Sequence, residues 1–153
     1  MNLNKLFVTV FYSGLSPKAP GTVGSIVSTI FAILILQYLG VETLSLLCLL
    51  IFIVSFKQID IYESTTASHD PQEIVVDELI GVWIAIIMAH ENIWQILLAF
   101  VFFRVFDITK PSIIGRADKM AGAKGVILDD VIAGFFGGLS SLMTYHLFMK
   151  FYS

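Results

Sequence analysis

Residues 77–110 read DELIGVWIAIIMAHENIWQILLAFVFFRVFDITK. Two apolar runs hinge on His90-Glu91-Asn92, and ionisable residues stand at matched depth on both sides. Glu78 and Asp77 lie 12 and 13 positions before His90, while Arg104, Asp107 and Lys110 lie 12, 15 and 18 positions after Asn92. With a rise of ~1.5 Å per residue, a helical hairpin brings Asp77, Glu78, Arg104 and Asp107 to one level, roughly 18–22 Å from the turn. In a bilayer whose hydrocarbon core is ~30 Å thick, that level falls inside or at the edge of the apolar slab. Charges there are costly and usually functional. The pattern predicts chemistry at a membrane surface.

Composition agrees. Of 153 residues, 57% are hydrophobic and 14% charged, against ~45–50% and ~25% in soluble domains. Mean hydropathy is +0.87. A net charge of −3 and the lack of a basic tract argue against nucleic acid as a partner. Cys48 stands alone, which excludes an intrachain disulfide and a cysteine-based metal site. Its apolar surroundings predict a small buried hydrophobe. Lys5 and the stretch Leu6–Tyr12 lack a small-residue cleavage site, so no signal peptide is expected.

Five apolar segments follow, at about 23–40, 43–61, 74–90, 93–110 and 128–150. The first, second and fifth have the length to cross a bilayer; the third and fourth are shorter, and the overall hydrophobicity favours crossings over soluble core helices. Residues 1–13 fit a surface-lying amphipathic helix. Gly40–Thr43 and His90–Asn92 read as tight turns. The longer connections, Ser13–Thr22, Asp60–Glu73 and Pro111–Gly125, are rich in Gly, Pro, Ser and charge. Alternating segments place all three on one face, with eight of the nine Lys and Arg residues. The positive-inside rule makes that face cytoplasmic.

Three clusters meet there. Asp77 and Glu78, preceded by His69 and Asp70, offer oxygens to a hard cation; the plainer reading is that the pair complements a helix dipole, which weakens if the helix starts near Pro71 or Gln72. Asp70 before Pro71 also suits a turn or helix cap. Arg104, Asp107 and Lys110 recur at i, i+3, i+6, along one helix face. They fit either a snorkelling ion pair or a site where the Asp holds a metal and the bases meet phosphate oxygens. Asp129 and Asp130 are either helix caps or part of an oxygen-rich pocket for Mg²⁺ with Asp107 and Asp77. Before them, Asp118 to Gly125 is a Gly-containing loop of the kind that can cradle phosphate, without Walker-type spacing.

The remaining features read as mainly structural. Thr22, Gly24 and Ser25 open the first apolar segment and can bring backbone N–H groups to a phosphate. Gly134 and Gly138 have the spacing of a packing face. His90 and His146 have no carboxylate or cysteine at ligand spacing and are expected to be non-catalytic.

Four pieces in order resemble the phosphatidylglycerophosphatase A family. They are Ser13-Gly14-Leu15-Ser16-Pro17 with Pro20–Ser25, His69-Asp70 with Ile74–Glu78, Phe103–Pro111, and Gly125–Gly134. The likeness covers roughly residues 13–134 and departs at Gly122-Ala123-Lys124-Gly125, where the family usually shows paired glycines. The resemblance implies a Mg²⁺-dependent phosphatase of the bacterial inner membrane, with its active site facing the cytoplasm. It removes the terminal phosphate of phosphatidylglycerophosphate.

The expected fold is a single all-α domain over residues 1–153, a polytopic membrane bundle of about five crossing helices plus a short N-terminal amphipathic segment. Asp107, Asp77, Lys110 and Arg104 are the expected catalytic residues. Arg104, Lys110 and Thr22 would bind phosphate, and Asp77, Glu78, Asp107, Asp129 and Asp130 would ligate the metal. No obligate protein partner is evident. A CDP-alcohol phosphatidyltransferase is the enzymatic rival, but its D-G-x-x-A-R arrangement is absent. The rival from another class is a small cation transporter or channel using intramembrane carboxylates.

Overall fold

A computed structural model describes residues 2–66 and 71–152, with the side chain of Tyr152 left out. His69 and Asp70 therefore lie outside the described residues. Every regular element among those described is helical. α1 spans Leu3–Val8, α2 Pro20–Thr66, α3 Val76–Met88, α4 Ile93–Thr109, α5 Ile113–Ala117 and α6 Ala123–Tyr152, with a 3₁₀ turn at Ser13–Leu15.

α2 combines the first two apolar segments and breaks only at Gly40, where φ is +83°. Its two arms run antiparallel. Trp83 Nε1 donates 2.8 Å to the Ser28 carbonyl, and Cys48 Sγ meets the Ile80 carbonyl at 3.9 Å. On an unbroken helix Ser28 and Cys48 would stand about 30 Å apart, whereas Ile80 and Trp83 are neighbours on one face of α3. The chain therefore doubles back at Gly40, a left-handed position that favours glycine. The first arm meets α3 and α4 through Ser25, Ser28 and Thr29, whose buried hydroxyls bond carbonyls four residues earlier.

α3 and α4 form the expected hairpin. Asn92 caps α4 by accepting from the Gln95 N–H at 3.0 Å. α6 crosses both, and glycines set the separation. A Cβ on Gly134 would collide with the Gly81 carbonyl, one on Gly138 would lie 2.9 Å from the Ala85 carbonyl, and one on Gly137 would lie 2.8 Å from Phe103 N. The Gly134/Gly138 spacing is thus a packing face against α3.

α2 and α6 (Ala123–Phe151) are long and apolar enough to cross a membrane. Only 17% of the most apolar 18-residue window of α2 is buried, against 50% in α6; Ile30, Leu34, Leu46, Leu49, Leu50 and Ile53 all face outward. That distribution suits lipid and is costly in water. α3 and α4 have 13 and 17 residues, about 20 and 26 Å of helix. α3 falls short of the roughly 17–25 residues of a crossing helix, and α4 stands at the lower limit. The all-helical class stands, and length and composition single out two helices as able to cross, α6 and the two-armed α2, where about five crossings were expected. α1 covers α2 near its ends: Asn4 donates to the Gln58 carbonyl and side chain at 2.9 and 2.7 Å, and Phe11 packs on Phe31.

Two helix starts differ from the expectation. α3 begins at Val76, so Asp77 and Glu78 occupy its first turn and do complement its dipole. Ile74 and Val75 stay outside because the chain here ties to α1, with the Val75 N–H bonding the Val8 carbonyl at 2.9 Å. α6 begins five residues earlier than expected, at Ala123, placing Asp129 and Asp130 beyond its first turn. They are not its caps. The Ala123 N–H is met instead by Asp60 Oδ1 of α2 at 3.3 Å.

Candidate active site

Four helices contribute to one cleft of about 200 Å³. Pro20 and Gly21 come from the start of α2, Asp77 and Glu78 from the first turn of α3, and Asp107 from the last turns of α4. Lys110 caps α4, and α6 supplies Val126, Asp129 and Asp130; Gln72 and Ile74 complete the wall. Proline at the first helical position of α2 costs no hydrogen bond. Lys110 closes α4 in a left-handed conformation, φ +43°, and Pro111 prevents the helix from continuing.

The carboxylates form two overlapping triads. One oxygen from each of Asp77, Glu78 and Asp130 lies within 4.8 Å of the others, and the same holds for Asp107, Asp129 and Asp130. Asp130 belongs to both. At an effective dielectric of about 20, two carboxylates roughly 5 Å apart repel by about 3 kcal/mol. Such an assembly requires positive charge.

Two side chains supply part of it. Arg104 Nη1 donates to Asp107 Oδ2 at 2.5 Å and to Ser25 Oγ at 3.3 Å, while its Nη2 donates to Thr22 Oγ1 at 3.3 Å. Lys110 Nζ bonds Asp129 Oδ2 at 2.5 Å and also pairs with Asp118. Burial pulls the Lys110 ammonium down, but its hydrogen bonds to Asp118 and Asp129 outweigh this and raise it above its ordinary value. Lys110 is therefore firmly charged at neutral pH.

Oxygens remain over. Glu78 Oε2 and Asp129 Oδ1 are buried with no hydrogen-bond partner among the described residues. An all-oxygen donor set with buried, unsatisfied acceptors is the chemistry that holds a hard divalent cation. Gly21 leaves the Glu78 carboxylate room, since a Cβ there would collide with Glu78 Oε1 and lie 3.6 Å from Arg104 Nη2.

Of the residues expected from sequence, Asp77, Glu78, Asp107, Lys110, Asp129 and Asp130 line the cleft. Arg104 and Thr22 do not; they bond to each other beside it, and Arg104 holds Asp107. Asp118, half-exposed, reaches the site only through Lys110. Gly122 and Gly125 shape the turn into α6 and are absent from the cleft wall: Gly122 has φ +68°, and a Cβ on Gly125 would collide with the Met120 carbonyl. Gly24 serves packing, its Cα facing Val75, where an added Cβ would sit 2.6 Å from that side chain. Sequence reasoning assigned no site role to Pro20, Gly21, Gln72 or Asp60. Their common signal was proximity in sequence to polar turns, which says nothing about what they face.

A family model described as Phosphatidylglycerophosphatase A matches residues 6–145. A Haemophilus influenzae protein named Phosphatidylglycerophosphatase A is 38% identical over 141 residues, covering 89% of this chain and 85% of its own. The Escherichia coli protein of that name is 36% identical over 131 residues, 84% of this chain and 76% of its own. A Bacteroides thetaiotaomicron protein named "Putative phosphatidylinositol-3-phosphatase" is 36% identical over 138 residues, 86% of each chain. No solved structure matches this chain.

Proposed function

Because this chain belongs to the phosphatidylglycerophosphatase A family, we propose that it removes the terminal phosphate of phosphatidylglycerophosphate, leaving phosphatidylglycerol and phosphate. The observation that carries this reading is the convergence of five carboxylates and a charged lysine on one cleft in an otherwise apolar bundle. The reaction would depend on Mg²⁺ held by Asp77, Glu78, Asp107, Asp129 and Asp130. When bound, the ion would polarise the phosphoryl group and lower the pKa of a water molecule.

The chain's own groups divide the remaining work. Lys110 at the cleft offers positive charge to the phosphate oxygens. Arg104, hydrogen-bonded to Asp107, fixes that carboxylate's rotamer rather than clamping substrate directly. Asp107 or Asp77 either accepts the proton of an attacking water or attacks phosphorus itself, giving an aspartyl phosphate that water then cleaves. In both routes the ester P–O bond breaks, and the leaving alkoxide takes a proton from water to become the free glycerol hydroxyl.

We place the protein in the bacterial inner membrane, its cleft toward the cytoplasm, a placement supported by the outward apolar face of α2 and by the clustering of Lys and Arg near the cleft end. A diacyl substrate would keep its chains in the leaflet and present only its phosphate. The cation-transport alternative has no comparable support: a cavity of about 700 Å³ between α4 and α6 is lined mainly by apolar residues such as Trp94, Leu97, Val101 and Phe148.

The test is phosphate release by purified protein in mixed micelles, with Mg²⁺ and after chelation. Phosphatidylglycerophosphate, phosphatidylinositol 3-phosphate and glycerol 3-phosphate are compared as substrates. The expected result is Mg²⁺-dependent turnover of the first, at least ~100-fold above glycerol 3-phosphate, given the membrane's contribution to binding. Equal turnover of the soluble ester would overturn the lipid assignment, and preference for the inositol lipid would move it to that headgroup.

A further inference from the structure

The cleft contains more ligand oxygens than one small cation needs, and they are arranged around a single shared member. We propose that the site is built for two divalent cations, with Asp130 as the ligand common to both; the proposal rests on the phosphatase reading above. One position is framed by Asp77, Glu78 and Asp130, the other by Asp107, Asp129 and Asp130, with the oxygens of each set within 4.8 Å of one another.

Each position has its own buried acceptor oxygen without a partner among the described residues. In the second set, Asp129 is 4% exposed; Lys110 takes its Oδ2 at 2.5 Å, and its buried Oδ1 has no partner among the described residues. In the first, Glu78 Oε2 is likewise buried and without a hydrogen-bond partner among the described residues. Asp130, 3% exposed, forms no ion pair with a Lys or Arg among the described residues. A buried carboxylate without a cation is expensive. Bridging two ions would engage both of its oxygens.

Charge balance points the same way. Five carboxylates line the cleft and two cationic side chains bond to them; Asp118, at 38% side-chain exposure, lies outside the cleft and is screened by solvent. One divalent ion would leave this set negative, opposing a phosphomonoester that itself carries about −1.5 to −2 at neutral pH. Two ions reverse the sign and attract it. Paired ions also suit displacement at phosphorus, where attacking and leaving oxygens both need stabilisation.

The test uses Mn²⁺ as a paramagnetic probe on full-length protein in detergent, read by equilibrium binding and electron paramagnetic resonance. Wild type should take up about two Mn²⁺ per chain and give a spin-coupled spectrum at saturation. Glu78→Gln should keep one ion, with the plain six-line signal of isolated Mn²⁺. Asp130→Asn should lose the coupled signal, and circular dichroism should report unchanged helix content in both. Saturation of wild type at one uncoupled Mn²⁺, or a coupled spectrum that survives in Asp130→Asn, would overturn the proposal. One bound ion with intact Mg²⁺-dependent phosphate release would remove the second site and leave the phosphatase reading in place. Two coupled ions without phosphate release from any lipid monophosphate would do the reverse.

Discussion

Arg104 is 82 positions from Thr22 and 79 from Ser25, yet its guanidinium joins both to Asp107. A lysine has a point charge and cannot span three acceptors in one plane. Arg104→Lys should therefore lower kcat roughly 10- to 100-fold with KM changed less than about 3-fold, the pattern of a group that orients rather than binds. A large KM increase at constant kcat would instead make Arg104 a direct phosphate ligand, one of the two readings that the i, i+3, i+6 row left open. Gly21 tests the other side of the cleft. Gly21→Ala drives a methyl group into Glu78 Oε1, and divalent-ion affinity in a titration should fall roughly 10-fold or more, as displacement of ligand-supporting contacts commonly does. Unchanged affinity would mean that Glu78 does not hold the ion.

The helices carry the next level of consequence, because the two triads exist only where α3, α4 and α6 cross. Gly134 and Gly81 meet backbone to backbone at that crossing. Gly134→Leu should separate α6 from α3, lowering the thermal midpoint and removing activity together. Loss of activity without loss of stability would place Gly134 in the chemistry instead. The hairpin of α3 and α4 was legible because three polar residues sit between apolar runs with charges at equal depth. Asp77, Glu78, Asp107, Asp129 and Asp130 were legible as carboxylates misplaced in apolar sequence. Helix starts were not. Lys124 and Gly125 read as loop but lie in the first turn of α6, whose end is satisfied by Asp60 from 63 positions away. Capping by a distant residue leaves no local pattern. Asp60→Ala should accordingly cost about 1 kcal/mol of stability and leave turnover within a few-fold of wild type.

Across the whole molecule, apolar residues cover the outside and charge gathers at one end. The exposed leucines and isoleucines of α2 would cost solubility in water, so lipid or detergent is the natural surrounding. On the proposed reading a lipid substrate would reach such a cleft by moving within the leaflet, and a soluble monophosphate should be poor. The number of crossings was the part of the fold least readable from hydropathy, since α3 is too short to span a bilayer alone; the reversal at Gly40 was legible as the turn between the first two apolar segments. The central claim is that carboxylates from three separate helices act as one metal-holding site. Its most direct measurement is Mg²⁺-dependent phosphate release from phosphatidylglycerophosphate by Asp77→Asn, Asp107→Asn and Asp129→Asn, one variant for each of α3, α4 and α6, at matched helix content. All three should fall at least ~100-fold below wild type; wild-type turnover in all three would mean that the cleft is not where the phosphate is cut.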